Sequence, residues 1–523
     1  MNLPTSSSSP NYRRFRVGKV CVAIIGSTPA ELVEKAQACL ADSTFLEFRL
    51  DYLATPQTAL PKLKHFFAEH GEVTAIATCR RAANGGKFKG TVAAEIEILQ
   101  KAAGSGFHLV DVELETAESL KPQELEKLRS KVGLVLSYHD FVATVKLDSV
   151  FERMQKFGAD FYKVVSTAKS LSDNVTMMRF LERTRDQANV VGICMGEEGV
   201  ISRVLGLRAG SAFTFASATV GEETAPGQIA ARTLVDTYRI DQLDAATRVF
   251  GVAGNPVKHS LSPLMLNSAF RRERVNAIYL ALQTTRIDDL LKLVREVPIS
   301  GLSVTMPFKE EILQHLEKTD PLSSKIGACN TVVRAQDGKL YGFNTDVTAV
   351  VRPLEKRLRL KDAKILVLGA GGAARAAVFG LREKGAEVFI LNRTPQPAQK
   401  LAREAKAKTF RRENLTKTQF DVIVNATPVG MHGVKPNHIL EPKEINARLV
   451  FDLVYNPIET PLIRMAREKG IPVVTGVEMF VHQGARQFEI WTGKPAPEEE
   501  MLRVVVHALR QRAEAATEAR TKS

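Results

Sequence analysis

At 523 residues, 44% hydrophobic and 25% charged, the chain has the composition of a globular protein of two or three domains, since single cores rarely grow past about 250–300 residues. No apolar run reaches the roughly 18 residues that span a bilayer, and five scattered cysteines (Cys21, Cys39, Cys79, Cys194, Cys329) with no CxxC pair describe neither a disulfide framework nor a zinc site. The formal net charge of +14 reads as a solvated basic surface or as attraction for anionic small molecules. Dispersed Lys and Arg with only 8 Tyr and 1 Trp argue against nucleic acid.

The first 19 residues carry Ser6–Ser9 and Arg13, Arg14 and Arg16 without an apolar h-region, so no secretory signal is read. A short disordered leader is expected, with the remnant of a plastid transit peptide as the alternative. The cysteine usage fits a reducing, cytoplasmic setting. From residue 20 to about 218, apolar β-rich runs at 20–26, 45–51, 74–80, 109–115, 134–140, 161–167, 190–196 and 212–218 alternate with amphipathic stretches such as 29–40, 92–103 and 171–187. Runs that stay apolar to their last residues are those of strands buried on both faces, and eight strand–helix units predict a closed (β/α)8 barrel over 18–237. Such barrels place chemistry at the C-terminal strand ends, where the polar exceptions fall: Glu47, Arg49, Arg80, Asp111, Glu113, His139, Lys163 and Ser217.

Lys163, flanked by Tyr162 and Val164, is predicted to be desolvated, which frees the amine to attack a ketone. Alone, it also reads as the structural partner of a carboxylate, and a lone strand-end histidine reads as structural too. Together, at the same end of neighbouring strands, Lys163 and His139 make a Schiff-base lysine with a general base. Asp111, one strand back, is expected to orient the imidazole from behind. Glu47, Arg49, Arg80 and Arg203 supply a carboxylate and three cations suited to a polyhydroxylated acid.

Residues 18–235 resemble type I 3-dehydroquinate dehydratase, through Glu47-Phe-Arg49-Leu-Asp51, Thr78-Cys-Arg80, Ser137-Tyr-His139-Asp140, the Lys163 strand, Ser202-Arg203 and Ala225-Pro-Gly-Gln228. The resemblance implies that Lys163 forms an imine with the C3 ketone of 3-dehydroquinate, that His139 removes a C2 proton and helps the C1 hydroxyl leave, and that Arg203 and Gln228 hold carboxylate and hydroxyls without a metal. Two positions depart from the pattern: Asn84, where a Glu is common, and Thr224, a substrate-binding position where a Ser is common.

A polar junction at 238–248 leads to a second alternating α/β unit. At 364–368 the strand KILVL ends in Gly369-Ala-Gly371-Gly372-Ala373-Ala374 and runs into a helical stretch to about 384. In that context GxGxxA predicts dinucleotide binding: Gly369 for the turn, Gly371 for close approach of a pyrophosphate, a small third residue for helix–strand packing, and the phosphates at the helix N-terminus. Further strands at 387–391, 421–425 and 449–454 complete a doubly wound Rossmann domain, read as 349–508, behind a substrate-binding domain at 249–348. The last helices are expected to pack back on that first lobe, and the charged tail 509–523 to fray. After the strand at 387–391 the chain reads Asn392-Arg393-Thr394, a cation where an NAD enzyme would place an acid, which predicts NADP(H). Lys309, in Thr305-Met-Pro307-Phe308-Lys309, and Asp346, in Asn344-Thr345-Asp346, are the candidate acid/base couple for a carbonyl reduced by hydride.

Residues 249–508 resemble shikimate dehydrogenase through these segments together with Ser260-Leu-Ser262-Pro263, Asn330-Thr331, Asn425-Ala-Thr427-Pro428, Asp452-Leu-Val-Tyr455-Asn-Pro457 and Gly476-Val-Glu-Met479. The resemblance implies that Ser260, Ser262, Asn330, Tyr455 and Gln483 bind shikimate, that Thr305, Lys309 and Asp346 surround its C3 oxygen, and that Thr427, Gly476 and Met479 touch the cofactor. The product of the first unit, 3-dehydroshikimate, is then the substrate of the second. A quinate-preferring dehydrogenase on the same scaffold and a catalytically inactive metabolite sensor stand as alternatives, and a monomer or a homodimer is expected.

Overall fold

The computed structural model describes residues 17–521 apart from 433, 436 and 437, so all but the last three residues of the expected leader lie outside the described residues. The chain divides into two compact units between Ala246 and Thr247.

The first unit is the expected barrel. Its strands β1 (Val20–Ile24), β2 (Phe45–Arg49), β3 (Thr74–Thr78), β4 (Leu109–Glu113), β5 (Gly133–His139), β6 (Phe161–Thr167), β7 (Val190–Met195) and β8 (Thr214–Ser217) pair in parallel in the order β7-β6-β5-β4-β3-β2-β1-β8. At the seam, Ala212 N–H donates to Val190 O at 2.8 Å. Because strand side chains alternate, every second residue faces the barrel axis. The lower inward positions form one buried apolar cluster that includes Phe45, Ile76, Leu109, Val135, Phe161 and Phe213. Two residues further along four of these strands, in step with those positions, stand Glu47, Asp111, Ser137 and Lys163, and two further again Arg49, Glu113 and His139. The barrel is thus apolar at its floor and ionic at its C-terminal mouth.

The second unit holds two sheets. The first comprises β9 (Arg248–Gly254), β10 (Ala277–Gln283), β11 (Ile299–Val304), β12 (Lys318–Thr319), β13 (Thr331–Arg334) and β14 (Leu340–Phe343), in the order β10-β9-β11-β13-β14-β12. It is mixed: β13 runs antiparallel to both β11 and β14, a hairpin the sequence reading did not separate from its alternating pattern. The other sheet comprises β15 (Lys364–Leu368), β16 (Glu387–Leu391), β17 (Lys408–Thr409), β18 (Phe420–Asn425), β19 (Ala447–Asp452) and β20 (Val473–Val474), all parallel in the order β17-β16-β15-β18-β19-β20. In units of this sheet that is 3-2-1-4-5-6, the doubly wound arrangement with its crevice beside the first strand.

The helices Gly476–Thr492 and Glu498–Thr521 return to the first of these sheets, where Phe480, Phe488, Trp491, Met501, Val505 and Leu509 share one core with Phe250, Phe270 and Tyr279. The last helix continues in the backbone through Thr521, into the tail 509–523 that was expected to fray. Met501, Val505 and Leu509, spaced by four, lie on one helix face and are buried, and that stripe anchors the helix as far as Leu509.

Candidate active sites

The barrel mouth encloses one cleft lined by Glu47, Arg49, Arg80, Asn84, His139, Phe141, Lys163, Arg203, Thr224 and Gln228 among others, so residues singled out on separate strands and loops converge. Register brings Ser137 beside Lys163 and Glu113 beside Ser137. Lys163 Nζ lies 3.2 Å from Asp111 Oδ2, 3.6 Å from Glu47 Oε1 and 3.9 Å from the centre of the Phe215 ring. The amine is thus paired with two carboxylates over an aromatic face and is not an isolated buried lysine.

The placement of Asp111 requires a correction. It does not reach the imidazole: it accepts from Lys163, from Arg80 Nη2 at 3.0 Å and from Ser137 Oγ at 2.7 Å. Glu113, one inward position higher, takes the orienting place, with Oε1 2.9 Å from His139 Nδ1. Burial and the Arg80 charge push the His139 imidazole below the usual histidine range, against the pull of Glu113, so the neutral base is favoured. Burial would raise both carboxyls, yet Lys163 and Arg80 hold Asp111 well below the carboxylate range, and His139 and Arg80 hold Glu113 below it.

The three cations differ in what they have left to give. Arg49 is clamped bidentately on Asp51 at 2.9 and 2.8 Å. Arg80 is held between Asp111 and Glu113. Arg203 donates to Pro226 O at 3.2 Å, its Nε is buried without a partner, and burial draws its guanidinium down to about 10. A buried orphan donor is costly, and an anion in the cleft would satisfy it. Opposite, Gln228 accepts from Thr224 N–H at 2.7 Å and its hydroxyl at 3.1 Å. Asn84 donates to Glu115 at 3.2 Å and leaves its own Oδ1 buried and unpartnered.

In the second unit Lys309 Nζ donates to Asp346 Oδ2 at 2.6 Å. Asn330, expected at substrate, is fully committed as placed: Nδ2 donates to Asp346 Oδ1 at 2.7 Å and Thr345 Oγ1 at 3.0 Å, while Oδ1 accepts from Thr331 Oγ1 at 2.7 Å and Thr345 N–H at 2.8 Å. It acts here to fix Asp346. Ser262 N–H donates to Ser260 Oγ at 3.2 Å. Thr305 lies against Gly254, where an added Cβ would come within 2.5 Å of its Cγ2. Tyr455 stacks on Phe480 with ring centres 4.4 Å apart, and Gln483 donates to Phe480 O at 3.0 Å. Among the described residues none of Ser260, Thr305, Tyr455 or Gln483 bonds to Lys309 or Asp346. Sequence reasoning missed a buried chain behind them: Tyr279 O–H donates to Ser303 Oγ, Ser303 to Gln487 Oε1 at 2.7 Å, and Gln487 Nε2 to Thr331 Oγ1 at 3.0 Å. The available signal was Gln487 one helical turn beyond Gln483.

The fingerprint residues form a cradle suited to a pyrophosphate. Gly369 has φ +112°, and a Cβ there would meet Thr427 Cγ2 at 2.9 Å. A Cβ on Gly371 would meet nothing within 4 Å, and no side chain caps the helix Gly372–Glu383, so its N–H groups face open space. Ala373 lies in its first turn, and Met479 packs partly buried against the neighbouring core. Gly476 sits where a Cβ would strike Val454 O at 2.2 Å. A Cβ on Gly372 would lie 3.6 Å from Lys309 Cδ, so the lysine borders the cradle. Asn392 Nδ2 donates to Thr394 O at 2.8 Å, while Arg393 is exposed and has no ion pair among the described residues.

Comparison with known proteins places each region. Residues 20–245 match the model of type I 3-dehydroquinase. Residues 252–332 match the shikimate dehydrogenase substrate binding domain, 353–461 match shikimate / quinate 5-dehydrogenase, and 476–506 match the shikimate 5'-dehydrogenase C-terminal domain. The chloroplastic bifunctional 3-dehydroquinate dehydratase/shikimate dehydrogenase of Arabidopsis thaliana is 33% identical over 503 residues, covering 92% of this chain and 83% of that one. The shikimate dehydrogenase (NADP(+)) of Pyrococcus furiosus is 38% identical over 279 residues, covering 52% of this chain and 99% of its own. The solved shikimate 5-dehydrogenase of Thermus thermophilus in complex with NADP(H) and shikimate is 38% identical and superposes with a TM-score of 0.47, covering 50% of this chain and 100% of that one.

Proposed function

This chain belongs to the family of bifunctional 3-dehydroquinate dehydratase/shikimate dehydrogenases, and from that premise we propose how its residues divide two consecutive reactions. The barrel is a lyase that converts 3-dehydroquinate to 3-dehydroshikimate, and the second unit is an oxidoreductase that reduces 3-dehydroshikimate to shikimate with NADPH.

In the barrel, Lys163 Nζ adds to the C3 ketone carbon and water leaves, giving an imine. Its ammonium proton has acceptors in Asp111 and Glu47, within 3.2 and 3.6 Å. His139, neutral and steadied by Glu113, removes the C2 proton, and the same imidazolium protonates the departing C1 hydroxyl. Water then hydrolyses the imine, releasing product and restoring the amine. Arg203, with its unpartnered Nε, holds the substrate carboxylate, and Gln228 and Thr224 hold hydroxyls. Burial of Lys163, Glu47, Asp111, Glu113 and Arg203 makes each charge interaction among them stronger than it would be in water.

In the second unit the glycine cradle and the N-terminus of Gly372–Glu383 hold the pyrophosphate of NADPH, and Arg393 with Asn392 and Thr394 holds the 2′-phosphate. The bound dinucleotide supplies the hydride. Lys309, aligned by Asp346, delivers the proton to the C3 oxygen, and Asn330 keeps Asp346 facing the lysine. Ser260, Ser262, Tyr455 and Gln483 ring the carboxylate and ring hydroxyls, and two serine hydroxyls favour shikimate over the bulkier quinate.

Among the described residues no helix is long and apolar enough to cross a membrane. All five cysteines are free and buried, which supports a reducing compartment, the cytoplasm or a plastid.

The observation that carries the reading is the pair of reaction centres in one chain, Lys163 with His139 and Lys309 with Asp346, where the first makes what the second consumes. The full chain given 3-dehydroquinate and NADPH is expected to form shikimate. Stoichiometric accumulation of 3-dehydroshikimate with no NADPH consumed would leave only the lyase, and unchanged 3-dehydroquinate would overturn the first assignment.

A further inference from the structure

Arg375 stands in the first turn of Gly372–Glu383, three residues after the glycine cradle. Its guanidinium does not face the cradle. Nε donates to Ile326 O at 2.7 Å, Nη1 donates to Glu404 Oε2 at 2.7 Å, and a Cβ on Gly327 would come within 3.5 Å of Nη2. Ile326 ends the helix Pro321–Ile326, and Gly327 turns the chain with φ +68°. A cation at a helix C-terminus meets carbonyls that lack helical partners.

The three residues after that turn frame the acid/base couple. Ala328 O accepts from Asn344 Nδ2 at 2.9 Å, and Asn344 Oδ1 accepts from Asp346 N–H at 3.1 Å. Cys329 N–H donates to Lys309 O at 2.8 Å. Asn330 donates to the Asp346 carboxylate at 2.7 Å. At its other end, Glu404 lies on the helix Pro395–Ala405, which starts directly after the Arg393-Thr394 loop. One guanidinium therefore ties together the turn that holds the pyrophosphate, the helix behind the 2′-phosphate loop, and the strap that fixes Lys309 and Asp346.

We infer that Arg375 is a positioning residue for hydride transfer, setting the distance between the dinucleotide cradle and the Lys309–Asp346 couple without touching either ligand. The inference rests on the dehydrogenase reading above. Apolar packing of Ile326 and Ala328 into the core of the doubly wound sheet holds the two parts together in a variant. What is lost is alignment, and misplacement by about 1 Å can cost on the order of a hundredfold in rate.

The test is steady-state shikimate oxidation by the full chain and its variants. Arg375→Met is expected to lower kcat roughly ten- to hundredfold with the KM values for shikimate and NADP+ within about twofold of the parent. Arg375→Lys, which keeps a donor for Ile326 O, is expected to recover part of the loss and guards against failure of the first variant to fold. Glu404→Gln, which leaves the Ile326 bond in place, is expected to change kcat least. A strong rise in KM for NADP+ with kcat intact would make Arg375 a phosphate contact and overturn the inference, as would an unchanged kcat in Arg375→Met. A parent chain that does not oxidise shikimate at all would overturn the dehydrogenase reading and this inference together.

Discussion

Two sites of the molecule, the barrel mouth and the end of β19, bury carboxylates in opposite ways. In the barrel Asp111 and Glu113 are buried against Lys163, Arg80 and His139, and both lie below the carboxylate range. In the second unit Asp452 is buried with hydrogen bonds alone, from Thr460, Val454 N–H and Asn425, and burial raises it to about 6. The difference follows the chemistry. A lyase that uses its own lysine as nucleophile must keep cation, base and counter-charges assembled before substrate arrives, and strand ends do this rigidly. A reductase that borrows its hydride must leave its cradle open, and its own charges are few: Lys309 is partly exposed and Arg393 has no ion pair among the described residues.

The largest effect expected is on the barrel alone. Lys163→Ala should lower dehydration by on the order of 10⁴-fold or more, since removal of a covalent nucleophile disables the whole catalytic unit, and leave shikimate oxidation intact. Borohydride added with 3-dehydroquinate should attach ligand mass to Lys163 in the parent. An adduct on another lysine, or loss of both activities in the variant, would break the division between the units.

Next comes the base. His139→Ala should cost about 10²–10⁴-fold in dehydration. With the imidazole held below its ordinary 6.5 by burial and Arg80, the acid limb of the dehydratase profile should fall below that pH. Glu113→Gln should slow dehydration and move the limb lower still, because Glu113 is the group that raises the imidazole. If it changes neither, the orienting role given to Glu113 is wrong.

The carboxylate contrast predicts opposite pH responses of stability. Asp111 and Glu113 have depressed values, so their stabilisation is present above the ordinary carboxyl range and is lost as pH falls through their lower folded values. Asp452 is raised from 3.8 to about 6, so its contribution is present below 3.8 and is lost as pH rises through about 6. The shift corresponds to roughly 3 kcal/mol at most. In calorimetry of the full chain, Asp452→Asn should therefore melt closer to the parent, or above it, at pH 7.5 than at pH 4.5. A constant difference between those two pH values would mean that Asp452 titrates as an ordinary acid.

Much of this was legible in the sequence, and the failures have identifiable causes. The barrel strands showed because each is apolar to its last residues, and the ionic mouth because charge in a buried strand needs partners. The sequence could not decide between Asp111 and Glu113 as partner of His139. Both face inward, two residues apart, and only the register of β4 against β5 selects one. The paired state of Lys163 was hidden for the same reason, since Asp111 and Glu47 lie 52 and 116 residues away in the chain. The chain from Tyr279 through Ser303 to Gln487 joins elements far apart in sequence, so the one signal available, Gln487 a helical turn beyond Gln483, could not name its partners.

The smallest effect tests the open character of the second site. Arg393 is exposed, pairs with no carboxylate among the described residues, and follows the strand β16 that ends at Leu391. A structural arginine on a surface loop would have a protein acceptor or would contribute little. An arginine meant for a phosphate must stay unpaired until the phosphate arrives, because a competing ion pair would have to be broken first. Arg393→Ala should therefore raise the KM for NADPH tenfold or somewhat more, the loss typical of one charge-assisted hydrogen bond, while the KM for NADH barely moves, since NADH has no 2′-phosphate to lose. Melting temperature and dehydratase activity should stay at parental values. Equal use of NADH and NADPH by the parent would show that Asn392 and Thr394 alone define the ribose site. A parallel rise in both KM values would show that Arg393 shapes the loop and does not read the phosphate.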